Sequence, residues 1–225
     1  MSHINPDKLA VALLSGGMDS ATALGIAISE GYMPALIHFD YGQRNRAKEQ
    51  AAFEALAAHY GVAQKLIVPL DFLKAIGGSA LTDASLDIPR EIPPQGEIPI
   101  TYVPFRNGIM LSLAAAWAEV IGAKAIFAGF VEEDSSGYPD CREKFIAAME
   151  HTINLGRRPE SALKIFAPLL HLRKSEILKL GMKLGVPYEL TWSCYLGGDY
   201  HCGECPACRL RKKAFAEIGI ADPAR

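Results

Sequence analysis

Six consecutive residues, Ser15-Gly16-Gly17-Met18-Asp19-Ser20, bring two glycines, two hydroxyls and a carboxylate together directly after a short apolar run. Glycine lets a backbone approach a phosphate closely and aim its N–H groups at the oxygens. A helix that starts at the same point adds the positive end of its dipole. Ser15 and Ser20 supply hydroxyl donors. No lysine follows in the GxxxxGK[ST] arrangement, so this is not the common P-loop. A glycine-rich corner that binds nothing is the bland alternative, and the match of all six positions at a strand-to-helix junction weighs against it.

The second chemical group is Cys194, Cys202, Cys205 and Cys208, spaced C-x7-C-x2-C-x2-C. Thiolates this close can wrap a tetrahedral Zn²⁺, and Gly197, Gly198 and Gly203 supply tight turns for the wrapping. Metal binding then contributes folding energy to a segment with little core of its own. An iron–sulfur cluster is the rival on spacing alone, because C-x2-C-x2-C also occurs at such sites. His201 is read as a bystander, since four thiolates complete the shell. Cys141 stands apart: it is either a nucleophile near an active loop or a small buried hydrophobe, and the second reading is preferred.

The elements that must position these groups alternate. Lys8–Leu14 reads as a strand, Asp19–Glu30 as a helix ended by Gly31, Pro34–Asp40 as a strand, 44–60 as a helix closed by Gly61, and Lys65–Pro69 as a strand. Further helices are expected at about 106–122, 142–154 and 175–184, with strands at 124–129 and 163–168. This alternation predicts an α/β fold, an open parallel sheet with helices on both faces. Residues 71–102 break the pattern with Gly, Pro, Ser and Asp. A connection of that length is a functional lid or a disordered surface loop, and the sequence does not separate the two. The expected organisation is a nucleotide-binding domain over 1–190, with a zinc-binding segment, 191–225, packed on it. At the end of the second strand, Phe39 is expected in the core, and Asp40 either borders a ligand or caps the next helix.

The chain has 225 residues and a net charge of −2, so it has the length for a sizeable core and lacks a global basic field for gripping nucleic acid. Arg209, Arg211, Lys212 and Lys213 form one basic cluster, read as a solvated helix face. The N-terminal apolar run is too short for a signal peptide, and no stretch approaches a membrane-spanning length. A cytoplasmic location is expected, where clustered cysteines point to metal rather than disulfides.

The glycine turn resembles the SGGxDS signature of the PP-loop ATP pyrophosphatases, whose fold is of the Rossmann-like adenine nucleotide alpha hydrolase type. By that resemblance Leu14, Ser15, Gly16, Gly17, Met18, Asp19, Ser20, Ala21 and Thr22 form the ATP site, and Asp19 helps to place Mg²⁺. From Leu9 to Gly219 the chain also resembles the 7-cyano-7-deazaguanine synthases of queuosine biosynthesis. The pieces are LLSGGMDS, HFDYGQR, VPFRN at Val103–Asn107, SGYPDCR at Ser136–Arg142, APLLHLRKSEI from Ala167, and GVPYELTWSCY followed by the cysteines. One departure is Ser135, where relatives commonly carry Tyr.

This resemblance favours zinc and implies 7-carboxy-7-deazaguanine, ammonium and ATP as substrates, with about two ATP used per turnover if carboxylate and amide are each adenylated. It implies a homodimer, while the charge balance and the lack of a long apolar run lead us to expect neither nucleic acid nor membrane as partner. Asp19, Ser20 and Arg106 become candidates for catalysis. Arg106 has a planar fork suited to phosphate or carboxylate, and a surface ion pair is its competitor. Tyr138 is placed to stack on the substrate ring, Asp140 to accept from its guanine-like edge, and Arg142 to face its carboxylate. Asp140 can equally cap the helix that follows it. Lys174 meets phosphate or lies at a solvated helix start. Two rivals remain: sulfur transfer to tRNA, which the charge balance disfavours, and a zinc module for RNA, which the intact glycine turn disfavours.

Overall fold

A computed structural model describes residues 8–92, 94, 96–132 and 137–224 of the chain. The Ser135 departure lies outside the described residues. Five strands form one parallel sheet: β1 (Leu9–Leu13), β2 (Met33–Asp40), β3 (Lys65–Pro69), β4 (Ala125–Phe127) and β5 (Lys164–Phe166). Their order is β3-β2-β1-β4-β5. Val11 pairs with Ala35 on one side and Ile126 on the other. The chain runs outward from β1 through β2 to β3, then returns to the other side for β4 and β5. The reversal opens a crevice beyond the carboxyl ends of β1 and β4, where sheets of this kind bind ligands.

Both faces of the sheet are covered, so the central strands read as nearly continuous apolar runs. Val11, Leu13, Ile37 and Ile126 face one core, shared with Leu111 and Ala114 of α4 (Arg106–Ile121) and Ile146 of α5 (Glu143–Leu155). Ala10, Ala12, Leu36 and Phe127 face the other, against Leu24 of α1 (Met18–Ser29), Phe53 and Leu56 of α2 (Arg46–His59), and Phe215 of α7 (Pro206–Glu217). α1 is buried along most of its length, and its small residues allow close contacts. A Cβ on Gly25 would sit 2.8 Å from Val186. α6 (Lys174–Lys183) packs on α1 through Ile177, Ala23 and Ile26.

The described part of segment 71–102 is ordered, against the disordered-loop alternative. It opens with α3 (Asp71–Ile76), a helix short enough to leave no periodic signal. Ser79, Ala80, Leu81, Thr82 and Thr101 are buried. Ala80 N–H donates to the Ile100 carbonyl at 2.8 Å, Arg44 N–H to the Leu81 carbonyl at 3.1 Å, and the Arg44 guanidinium to the Asp83 carbonyl at 2.8 Å. The described part of this segment is therefore a wall pinned to the fold. Among the described residues, no helix is long and apolar enough to cross a membrane.

Candidate active site and metal cluster

The glycine turn lies in the crevice, between β1 and α1. Its hydroxyls organise its own backbone. Ser20 Oγ accepts from Ser15 N–H at 3.2 Å and donates to the Gly17 carbonyl at 2.9 Å, while Ser15 Oγ accepts from Gly17 N–H at 3.2 Å. Gly16 has φ +86° and lies on α2, where a Cβ would come within 2.7 Å of the Glu49 carbonyl oxygen. Beneath the turn, His38 Nδ1 donates to the Leu14 carbonyl at 3.0 Å, and burial lowers its pKa. At the end of β4, a Cβ on Gly129 would lie 2.7 Å from the Ser20 amide nitrogen. Only glycine lets that strand end meet the start of α1.

A cavity of about 330 Å³ opens over the turn. Ser15, Gly17, Asp19 and Ser20 form its floor, and Arg106, Tyr138, Lys174, Trp192 and Tyr195 are among its walls. Asp19 ion-pairs through Oδ2 with Lys174, the first residue of α6. Its other oxygen, Oδ1, is buried without a hydrogen bond from the described residues. A carboxylate oxygen left open at the floor of a phosphate-shaped turn fits a hard cation such as Mg²⁺. Lys174 is thus in the site and not at a solvated helix start.

Arg106 begins α4. Its Nη1 donates to the Tyr41 hydroxyl at 2.8 Å and its guanidinium lies 5.1 Å from the centre of that ring. This replaces the surface ion pair weighed from sequence. Tyr138 reaches the cavity, with its hydroxyl 3.0 Å from Thr101 Oγ1. Asp140 is buried, and its Oδ2 accepts from Asn107 N–H at 2.9 Å. It therefore caps the first turn of α4, which lies before it in sequence, and not the helix that follows. It is not among the residues lining the cavity. Arg142 is exposed and stands just before α5, away from the cavity wall. Asp40 accepts from Gly42 N–H at 3.0 Å in a local turn instead of capping α2, and Phe39 is buried as expected. Cys141 lines the cavity, and burial pushes its thiol up to about 12, so it is protonated and a poor nucleophile at neutral pH.

The four cysteines converge. Their sulfurs all lie within 4.8 Å of one another, and Cys202 Sγ to Cys208 Sγ is 3.9 Å. A tetrahedral S₄ site with bonds of about 2.3 Å needs sulfurs about 3.8 Å apart, so the donor set fits a bound metal. Leu196 N–H (3.3 Å) and Cys202 N–H (3.5 Å) point at Cys194 Sγ, and Cys205 N–H (3.3 Å) at Cys202 Sγ, an arrangement that stabilises thiolate charge. Cys194, Cys205 and Cys208 are buried and Cys202 reaches the surface.

The cluster is tied to the glycine turn. Trp192 N–H donates to the Gly16 carbonyl at 2.9 Å, and Asn45 Nδ2 donates to the Cys194 carbonyl at 2.7 Å. Arg211, read from sequence as part of a solvated helix face, is 1% exposed. It grips Asp222 with two bonds of 2.7 and 2.8 Å and donates to Thr191 Oγ1 at 2.7 Å and the Tyr188 carbonyl at 3.0 Å. Tyr188 hydroxyl lies 2.7 Å from Thr22 Oγ1 on α1. The correction has a physical reason: the inner face of α7 packs on the 188–193 loop, and the chain folds back beyond α7 to supply the counter-charge. Arg209, Lys212 and Lys213 do lie on the outer surface.

Glu49, Trp192, Ser193 and Tyr195 line the cavity without having been singled out from sequence. Three of them flank Cys194, whose metal chemistry drew attention away from its neighbours. Glu49 has the ordinary look of a helix-surface carboxylate.

The parallel sheet and the glycine turn at its crevice define a class, the open-sheet α/β proteins with a phosphate-type corner at the switch point. Within it, the chain belongs to the family described as queuosine biosynthesis protein QueC, whose model matches residues 9–219. A protein of a Nitratiruptor species named 7-cyano-7-deazaguanine synthase is 54% identical over 95% of this chain and 96% of its own. One of the same name from a Sulfurovum species is 51% identical over 96% and 97%. In fold, the chain resembles a 4-thiouridine synthetase solved with RNA and bound ATP. The TM-score is 0.54 at 17% identity, covering 93% of this chain and 53% of that longer one.

Proposed function

We propose that the chain is an ATP-dependent carbon–nitrogen ligase that turns 7-carboxy-7-deazaguanine and ammonia into 7-cyano-7-deazaguanine. The observation that carries the reading is a cavity floored by the SGGMDS turn and walled by Arg106 and Lys174, in a chain half identical to synthases of that name over nearly their full length.

A carboxylate is a poor acylating agent because its leaving group would be oxide. Attack of a carboxylate oxygen on the α-phosphorus of ATP expels pyrophosphate and gives a mixed anhydride. Ammonia adds to the carbonyl carbon, AMP leaves with the original oxygen, and a proton is lost, giving the amide. The amide oxygen then attacks a second ATP, again expelling pyrophosphate. Loss of AMP and the remaining protons from nitrogen leaves the nitrile.

The chain's own part is positioning and charge stabilisation. The amides from Ser15 to Ser20 cradle the pyrophosphate, Ser20 keeps the turn in shape, and Lys174 and Arg106 offset charge on either side. Asp19 would hold Mg²⁺, which neutralises phosphate charge when bound. Tyr138 offers a ring face to the base. Asp140 acts by fixing the start of α4 and hence Arg106, while Arg142 lies outside the cavity and is given no part in the chemistry. Cys194, Cys202, Cys205 and Cys208 would hold a structural Zn²⁺, because four thiolates leave no open position for water. In this reading residues 1–190 form the nucleotide-binding domain and 191–225 a metal-stapled segment on the same domain. The enzyme works as a cytoplasmic homodimer on free ammonium, without nucleic acid.

The test is a count. With Mg-ATP, ammonium and the carboxylic acid, two AMP are expected per nitrile, with the amide appearing first. A ratio of one, or ADP as the nucleotide product, contradicts the double adenylation.

A further inference from the structure

Among the described residues, the cavity wall carries two carboxylates, Asp19 and Glu49. Asp19 is committed to Lys174 and the nucleotide turn. Glu49, in the first turn of α2, has no role in the chemistry above. It is held with care all the same. Gln43 Nε2 donates to its Oε2 at 2.8 Å and Asn45 Nδ2 to its Oε1 at 3.1 Å. Both amides are themselves fixed: Gln43 Oε1 accepts from Tyr41 N–H at 2.8 Å, and the same Asn45 nitrogen donates to the Cys194 carbonyl at 2.7 Å. Gln43 and Asn45 are buried. Each carboxylate oxygen thus accepts one hydrogen bond among the described residues, and a carboxylate with about four acceptor positions has capacity for two more.

A pinned carboxylate with two open acceptor positions is the complement of two adjacent N–H donors. The pyrimidine edge of a guanine-like base presents such a pair, its ring N–H and its exocyclic amino group. Asp140, the sequence candidate for that edge, has one oxygen bound to the Asn107 amide and does not line the cavity. We infer that Glu49 is the residue that reads the aminopyrimidinone edge of the substrate and so selects a guanine-like base. Arg106 is then left for the reacting carboxylate or its phosphate. The inference rests on the proposed substrate and deepens it.

The full-length protein and a Glu49→Gln variant are compared on the carboxylic acid and on its analogue lacking the exocyclic amino group. Gln keeps the shape and turns one acceptor into a donor that opposes the substrate's N–H. Losing charge-assisted hydrogen bonds from a site built for them is worth about 100-fold in kcat/KM for the acid. The KM for ATP should stay within about threefold of wild type, and the wild-type preference for the amino-bearing substrate should collapse toward unity. That preference is a ratio within one protein, so it does not depend on the fraction folded. Glu49→Asp keeps the charge at shorter reach: activity should fall while the preference survives. A Gln variant that keeps the preference and instead raises the KM for ATP overturns the inference and moves Glu49 to the ribose hydroxyls. Unchanged kinetics overturn it as well. A wild-type protein that forms no nitrile at all overturns the substrate and this inference together, and so is told apart from failure of Glu49 alone.

Discussion

Replacing Gly16 with Ala should lower kcat/KM for ATP by about a thousandfold while the protein stays folded. Two independent constraints produce this. At φ +86° an L-residue is strained by about 1–2 kcal/mol. The added methyl would also meet the Glu49 carbonyl oxygen at 2.7 Å and Ala52 Cβ at 2.8 Å. Both neighbours belong to α2, whose Phe53 and Leu56 are fully buried in the core, so the helix cannot step back. The turn must move instead. Its Gly17 and Ser15 amides would leave their positions over the floor, and the Trp192 N–H bond to the Gly16 carbonyl would be lost. Steady-state kinetics against ATP, with a thermal melt as control, checks this. A variant with near-normal ATP kinetics would mean that the turn does not hold phosphate.

The second large effect concerns the cysteines. Cys205→Ser should lower the thermal midpoint by about 10 °C, since a loss of about 4 kcal/mol moves a chain of this size by about 2–4 °C per kcal/mol. The gross value of such a site is larger, about 10–16 kcal/mol for structural zinc in small peptides, and three remaining thiolates retain part of it. Cys205 is chosen because it is buried and immediately precedes the first residue of α7, so losing a metal bond there loosens the start of the helix as well. Nucleotide turnover should fall with the metal, because the 188–195 loop that the cluster anchors also donates to Gly16 and pairs Tyr188 with Thr22. Metal analysis should find about one zinc per wild-type chain. Protein stripped by a chelator that melts at the wild-type temperature would show that the cluster is not structural.

Much of this was legible in the sequence because it is local. The place of the glycine turn at the cavity was readable because its glycines and hydroxyls are consecutive and sit between a strand run and a helix run. The cysteines were readable because three of them fall within seven residues. What stayed hidden depends on partners far along the chain. Asp140 looked like an acceptor for the substrate edge or a cap for the helix that follows, yet its partner is Asn107 at the start of α4. Arg211 looked solvated because its neighbours are basic, and its burial follows from Asp222 and Thr191, which only the folded chain places around it. The 71–102 wall lacks periodicity because it is held by single contacts such as Arg44 to Asp83 and Tyr138 to Thr101, not by a repeating face. Glu49 has the sequence signature of any polar helix residue. Its side chain becomes notable only once Gln43 and Asn45 are seen to pin it.

The identity of the product bears most directly on the proposed activity. The purified, metal-loaded protein would be incubated with Mg-ATP, isotopically heavy ammonium and 7-carboxy-7-deazaguanine, and the reaction read by mass spectrometry. A nitrile carrying the heavy nitrogen, formed together with AMP, is the predicted result. Folded protein that consumes ATP without making the nitrile, or makes none of it under any ammonium concentration, would contradict that activity.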